Sequence, residues 1–210
     1  MTPPEEVPMT AALQLPSLLD EKQDWTVDDL ASLPKDLRYE LIDGRLLLPS
    51  PTVFHRDVCH ELVSALRPHC PSGYRAVIDV SLEVDPLNEP RTDVVVARMA
   101  GGLRSPAPIS GALLLAEVIS PTSHFRDMHA KAKVFAGAGV ESYWVVDPTF
   151  RGGVVLTEFR LGEDKQYEIV TSTNKVFSTD VPFPATVDVP ALTKLLNEYR
   201  LAEREGPSIG

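Results

Sequence analysis

Glu117 is an acid in the middle of an oily run, LLLAEVI (residues 113–119), whose other residues have the composition of a buried strand. An ionised carboxylate there costs several kcal/mol unless a metal ion, a basic side chain or a raised pKa compensates it. Asp93 opens a second run of the same kind, DVVVA (93–97). If the two strands are neighbours, the two carboxylates approach across the ladder. One pKa then rises sharply unless a divalent cation lies between them. Hard oxygen donors of this type suit magnesium or manganese. The residues just after Glu117 add cations: His124, Asp127 and Lys131 follow one flank of an expected helix at spacings of three and four, with Arg126 and Lys133 nearby.

Each of these residues also has a purely structural reading. Glu117 could pair with a buried arginine, Asp93 could cap a strand, and Glu40 beside Arg38 or Arg45 fits a hairpin salt bridge. Asp127 and Lys131 form an ordinary i,i+4 pair worth ~0.2–0.5 kcal/mol. His124 and His129 read as surface residues. The group His55, Cys59, His60, His69 and Cys70 raises zinc, but on one helix His55 and Cys70 lie roughly 20 Å apart. The spacing fits no finger pattern, so zinc is set aside.

The elements that position these residues follow from pattern. Thr26 is placed to cap a helix over 27–33, stopped by Pro34. Asp43-Gly44 is a hairpin turn signal between 39–42 and 45–48. Val58, Leu62 and Leu66 recur every four residues, which predicts a helix over 55–66 ended by Pro68. Strands are expected at 74–80, 81–84, 93–97 and 113–119, the continuous apolar ones buried on both faces. Phe125, Met128, Ala132 and Phe135 share one face of a helix over 123–138, with Gly139 as its stop. A third buried strand, 142–146, makes 113–147 a strand–helix–strand crossover with parallel strands. An antiparallel pair follows at 154–160 and 167–171, and Pro190 starts a last helix to about Leu201. Ile42, Leu62, Val95, Leu114, Phe135 and Trp144 are the expected core.

The fold class is therefore α/β, a mixed sheet with helices on its faces. The 210 residues, 43% hydrophobic and 24% charged, fit a single domain over 25–203. Residues 1–24, with four prolines, and 204–210 read as flexible flanks. No apolar run approaches the ~20 residues of a bilayer span, and MTPPEEVPMT is unlike a signal peptide. With two cysteines, the expectation is a cytoplasmic protein that does not engage a membrane. Twenty basic against 30 acidic residues, net −10, argue against a dedicated high-affinity nucleic-acid binder, though not against an enzyme with a locally basic cleft.

Taken together, YELIDGRLLLPSP with His55, RTDVVVA, LLLAEVISPTS and RDMHAKAKVFAGAGVESYWVVDP resemble the Uma-two family of restriction-endonuclease-like proteins, within the PD-D/E-x-K nuclease superfamily, from about Tyr39 to Val170. The resemblance implies a restriction-endonuclease-like mixed β-sheet flanked by α-helices. It also implies a Mg2+- or Mn2+-dependent endonuclease that hydrolyses phosphodiester bonds of nucleic acid, DNA foremost, to 5′-phosphate and 3′-hydroxyl ends, and by analogy a homodimer. Asp93 and Glu117 match the metal-binding acids, Glu40 an additional acid, and the Val118 carbonyl an extra ligand. The superfamily's lysine position two residues after the glutamate is Ile119 here. The family pattern supplies the lysine from the following helix, which fits Asp127, Lys131 and Phe135 and favours Lys131 over Lys133. Thr92 stands where the family usually has proline. Arg126 and the helix start near Ser123 would hold a phosphate, and His55 would face the cleft towards substrate. The competing expectation is a non-catalytic binding or assembly module with a vestigial or structural ion pocket.

Overall fold

A computed structural model of the chain describes residues 22–34, 37–120 and 125–206, with residues 125–128 described by their backbone alone. The expected flank 1–24 lies outside the described residues up to position 21, and the tail from 207 likewise. The elements, in chain order, are α1 (Val27–Leu30), β1 (Glu40–Ile42), β2 (Arg45–Leu47), α2 (Val53–Leu66), β3 (Tyr74–Glu83), β4 (Arg91–Arg98), β5 (Ala107–Pro108), β6 (Ala112–Val118), α3 (Phe125–Gly137), β7 (Ser142–Asp147), β8 (Val155–Leu161), β9 (Tyr167–Thr173), β10 (Val176–Thr179), β11 (Ala185–Asp188) and α4 (Val189–Glu205).

Seven strands form the central sheet in the order β5-β3-β4-β6-β7-β8-β9. The β3–β4, β4–β6, β7–β8 and β8–β9 pairs are antiparallel, and β3–β5 and β6–β7 are parallel. The β6–α3–β7 crossover thus joins parallel strands, as the sequence requires. The continuous apolar runs have the reason anticipated: both faces of β4, β6 and β7 are covered. On one face Val58, Leu62 and Leu66 of α2 meet Val94, Val96, Leu114, Ala116 and Trp144, with Phe177, Val187 and Leu192 beyond. On the other, Phe135 of α3 meets Val95, Leu115, Tyr143 and Val145. Trp144 is fully buried edge-on to Phe177, centroids 5.0 Å apart. All six expected core residues are buried.

The hairpin β1–β2 turns at Asp43 and Gly44, both in the left-handed region (φ +49° and +73°), which is why Asp-Gly was a usable signal. Its Leu41 packs with Trp25, Leu30 and Leu33 in a small separate cluster.

Several expectations are corrected. α1 ends at Leu30, and a turn occupies the next residues before Pro34. α2 starts two residues early because Thr52 caps it, accepting from the His55 amide. Its end at Leu66 is as expected, and Pro68 sits in the first turn of the 3-10 segment that follows, Arg67–His69, where its missing N–H costs nothing. The two expected strands at 74–84 are one, β3, kinked at Asp79, whose φ is +59°. The β10–β11 hairpin went unforeseen: its strands are four residues long and flank a loop with Pro182 and Pro184. α4 runs to Glu205, past its expected end near Leu201.

Candidate active site

Sheet register brings the two strand acids together. β4 and β6 pair with Val94 opposite Ala116, so Asp93 and Glu117 are the next residues out on each strand, on the face that carries Val95 and Leu115. Helix α3 lies over this face, and Lys131 is one turn before Phe135, which anchors the helix edge-on to Tyr143 (5.7 Å between centroids). Glu40 opens β1, beside the same helix. From the opposite face, the first turn of α2 delivers His55 to the same end of the sheet.

Lys131 is the hub. Its ammonium donates to Glu40 Oε1 (3.1 Å), to Glu117 Oε2 (3.0 Å) and to the Arg91 carbonyl (2.8 Å), with Glu40 Oε2 at 2.9 Å. All three N–H donors are used. Lys131, Glu40 and Glu117 are 7%, 7% and 4% exposed. Asp93 Oδ2 accepts from the Val118 amide (2.8 Å) and lies 3.1 Å from His55 Nε2. The same Nε2 is 3.1 Å from the Val118 carbonyl oxygen, and His55 Nδ1 is 3.7 Å from Cys59 Sγ one turn along the helix.

The charges do not balance. Two carboxylates, Glu40 and Glu117, contact one lysine, and a third, Asp93, stands on the neighbouring strand. Burial works against the Lys131 charge, but Glu117, Glu40 and Asp93 outweigh it and keep the ammonium protonated. Burial pushes Glu117 up to about 8, opposed by Lys131 and reinforced by Asp93 and Glu40. Burial likewise raises Glu40, again against Lys131. Burial would also raise Asp93, yet the His55 contact, Lys131 and the Val118 amide hold it below the usual carboxylate range. Burial pushes the Cys59 thiol far up, so it stays a thiol. The cluster therefore has room for a proton or a cation. Glu117 Oε1 is buried and has no hydrogen-bond partner among the described residues, which fits an oxygen kept for a divalent cation.

The structure brings together Glu40, Asp93, Glu117, Val118, Lys131 and His55. Glu40 pairs with Lys131, not with the arginines next to it in sequence; Arg38 instead binds Asp79, as does Arg91. Among the described residues, the cation that Glu117 meets is Lys131 and not an arginine. Lys133, the alternative lysine, is exposed. The side chains of Arg126 and Asp127, and residues Ser123 and His124 entirely, lie outside the described residues. Of the five-residue Cys/His group, only His55 and Cys59 come together, and they do so with Asp93, the three offering ligand atoms within 4.8 Å of one another. His60 is exposed and Cys70 donates to the Leu66 carbonyl. Sequence reasoning missed the joining of His55 to Asp93, 38 residues apart, and the Arg91 carbonyl on Lys131. Neither has a local signal: His55 and Asp93 meet only through the fold, and a carbonyl carries no residue identity.

A large mixed sheet flanked by helices defines the class, an α/β fold. Residues 26–191 match the Uma2 family, described as "putative restriction endonuclease", and the chain belongs to that family. Among solved structures it is similar to one from Anabaena variabilis ATCC 29413, described as a putative nuclease belonging to DUF820, with a TM-score of 0.62 and 16% identity over 81% of this chain and 98% of that one. No curated protein matches the chain. No described helix is long and apolar enough to cross a membrane.

Proposed function

We propose that the protein is a metal-dependent endonuclease acting on DNA. The observation that carries this reading is the over-charged cluster: two buried carboxylates, Glu40 and Glu117, on one ammonium, half-buried Asp93 on the neighbouring strand, and Glu117 Oε1 left unpaired among the described residues. Asp93, Glu117 and the Val118 carbonyl would hold Mg2+ or Mn2+. When bound, the ion supplies positive charge at a phosphodiester and lowers the pKa of water. Asp93 is pre-set for this role, since the Val118 amide fixes its carboxylate. Lys131 keeps its proton on Nζ and sets a fixed positive charge beside Glu117, its three N–H donors being held by Glu40, Glu117 and the Arg91 carbonyl. Glu40 and the Arg91 carbonyl hold that ammonium in place. Arg126, just before Lys131 on α3, would take a substrate phosphate, leaving the otherwise acidic surface to limit binding to the cleft. We place the protein in the cytoplasm and read it as a homodimer, for which the outer edge of β9, unpaired among the described residues and carrying exposed Ile169 and Val170, offers a surface.

Supercoiled plasmid with purified protein and Mg2+ or Mn2+ tests this. Nicked and linear DNA should form with the wild type and not with Glu117→Gln; equal cleavage by both overturns it. The net charge of −10 favours a second reading, a non-catalytic module on the same fold, which predicts metal binding without cleavage.

A further inference from the structure

His55 has two oxygen neighbours and one ring nitrogen to meet them. Nε2 lies 3.1 Å from Asp93 Oδ2 and 3.1 Å from the Val118 carbonyl. A single N–H serves one of these oxygens at a time, and Asp93 Oδ2 already accepts from the Val118 amide at 2.8 Å. They are also the two groups of β4 and β6 that, with Glu117, would hold the metal. The ring is buried, its helix is capped by Thr52, and Nδ1 faces the Cys59 thiol at 3.7 Å. A ring nitrogen sealed among ligand oxygens, with its other nitrogen occupied by a soft hydrogen-bond partner, has the surroundings of a metal-ligating imidazole. A side chain that contacts substrate would instead need an open face.

The geometry points to His55 as a nitrogen ligand of the divalent cation, and to a site that prefers Mn2+ over Mg2+ on that account. This rests on the metal reading given above and deepens it. Asp93 and the Val118 carbonyl alone suit Mg2+ and Mn2+ alike. An imidazole adds a donor that Mg2+ uses poorly and the transition ions use well. Cys59 Sγ meets Nδ1, the ring nitrogen that faces away from these oxygens, and so holds the ring's orientation. That leaves one nitrogen with oxygens, which is not a thiolate zinc site.

Electron spin-echo modulation of the Mn2+-loaded full-length protein, beside calorimetric titrations with Mn2+ and Mg2+, tests it without an activity assay. Wild type should show 14N modulation from a coordinated imidazole. His55→Gln, checked for folding by its melting curve, should lose that signal. Its Mn2+ affinity should fall about tenfold or more, a loss at least as large as those seen for outer-shell metal partners. Its Mg2+ affinity should change by less than about threefold. Mn2+ bound to the wild type without a nitrogen signal overturns the His55 assignment and leaves the metal reading standing. A signal that survives in folded His55→Gln has the same consequence. Wild type that binds no Mn2+ at millimolar concentration, or binds it unchanged in Asp93→Asn, overturns the metal reading itself. Because the wild-type spectrum alone can contradict the assignment, the test stands even if His55→Gln does not fold.

Discussion

Two acids stand on interior strands of the same sheet, and their surroundings differ. Glu158 on β8 is 3% exposed, and its Oε1 accepts from Arg160 Nε (3.1 Å), Arg160 Nη2 (2.6 Å) and the Thr179 hydroxyl (2.9 Å). Glu117 on β6 is as deeply buried, shares its one cation with Glu40, and leaves Oε1 unpaired among the described residues. The first is a closed ion pair that ties β8 to the β10–β11 hairpin. The second is open in its bonding and surrounded by excess negative charge. Burial of an acid says little by itself; how completely its oxygens are satisfied separates a structural carboxylate from one kept for chemistry.

The largest difference should appear in activity. Glu117→Gln is expected to reduce plasmid cleavage at least about a hundredfold, because it removes several kcal/mol of charge stabilisation at the metal, while leaving the melting temperature level or higher. Glu158→Gln should leave cleavage nearly unchanged. A Glu158 variant that loses cleavage would break the contrast.

Lys131→Met extends it to stability. Removing the ammonium strands Glu40 and Glu117 in the interior, and breaking a buried pair in this way costs about 3–5 kcal/mol. Denaturant unfolding measures this, and adding Glu40→Gln should recover part of the loss. A loss under about 1 kcal/mol, the scale of an exposed pair, would mean the cluster is wetter than its geometry indicates. Glu158→Gln, by the same measurement, should cost about 1–3 kcal/mol for hydrogen bonds left imperfect around Arg160.

The smallest effect is a pH slope. Glu117 is held up to about 8 in the folded chain, against 4.5 for an ordinary glutamate. The folded state therefore keeps this proton longer than the unfolded one. The contribution is fully present below about pH 4.5 and is lost as pH rises to about 8. Metal-free protein should melt lower at pH 8 than at pH 5.5, with the slope reduced in Glu117→Gln and reversed by Mn2+. Parallel slopes in wild type and variant would contradict the assignment to Glu117.

Much of this was legible in the sequence because apolar strands tolerate few exceptions. LLLAEVI and DVVVA marked both the middle of the sheet and its two candidate acids, and the stripe ending at Phe135 fixed which side of α3 bears Lys131. The less legible parts depend on three-dimensional closure. The β10–β11 strands are too short to show a period, yet they bury Phe177 and Val187. Nothing local ties His55 to Asp93, or shows that Glu40 turns from its neighbouring arginines to a lysine 91 positions away. Asp79, left-handed inside β3 and held by Arg38 and Arg91, is equally silent in sequence.

A crystal of the protein soaked in Mn2+ and measured at the manganese absorption edge decides whether the acid cluster is a metal site. An anomalous peak between Asp93 and Glu117, with the Val118 carbonyl on its shell, is the expected result. A crystal with no peak there, and Glu117 Oε1 still unpaired beside Lys131, would show that the open carboxylate serves something other than a metal.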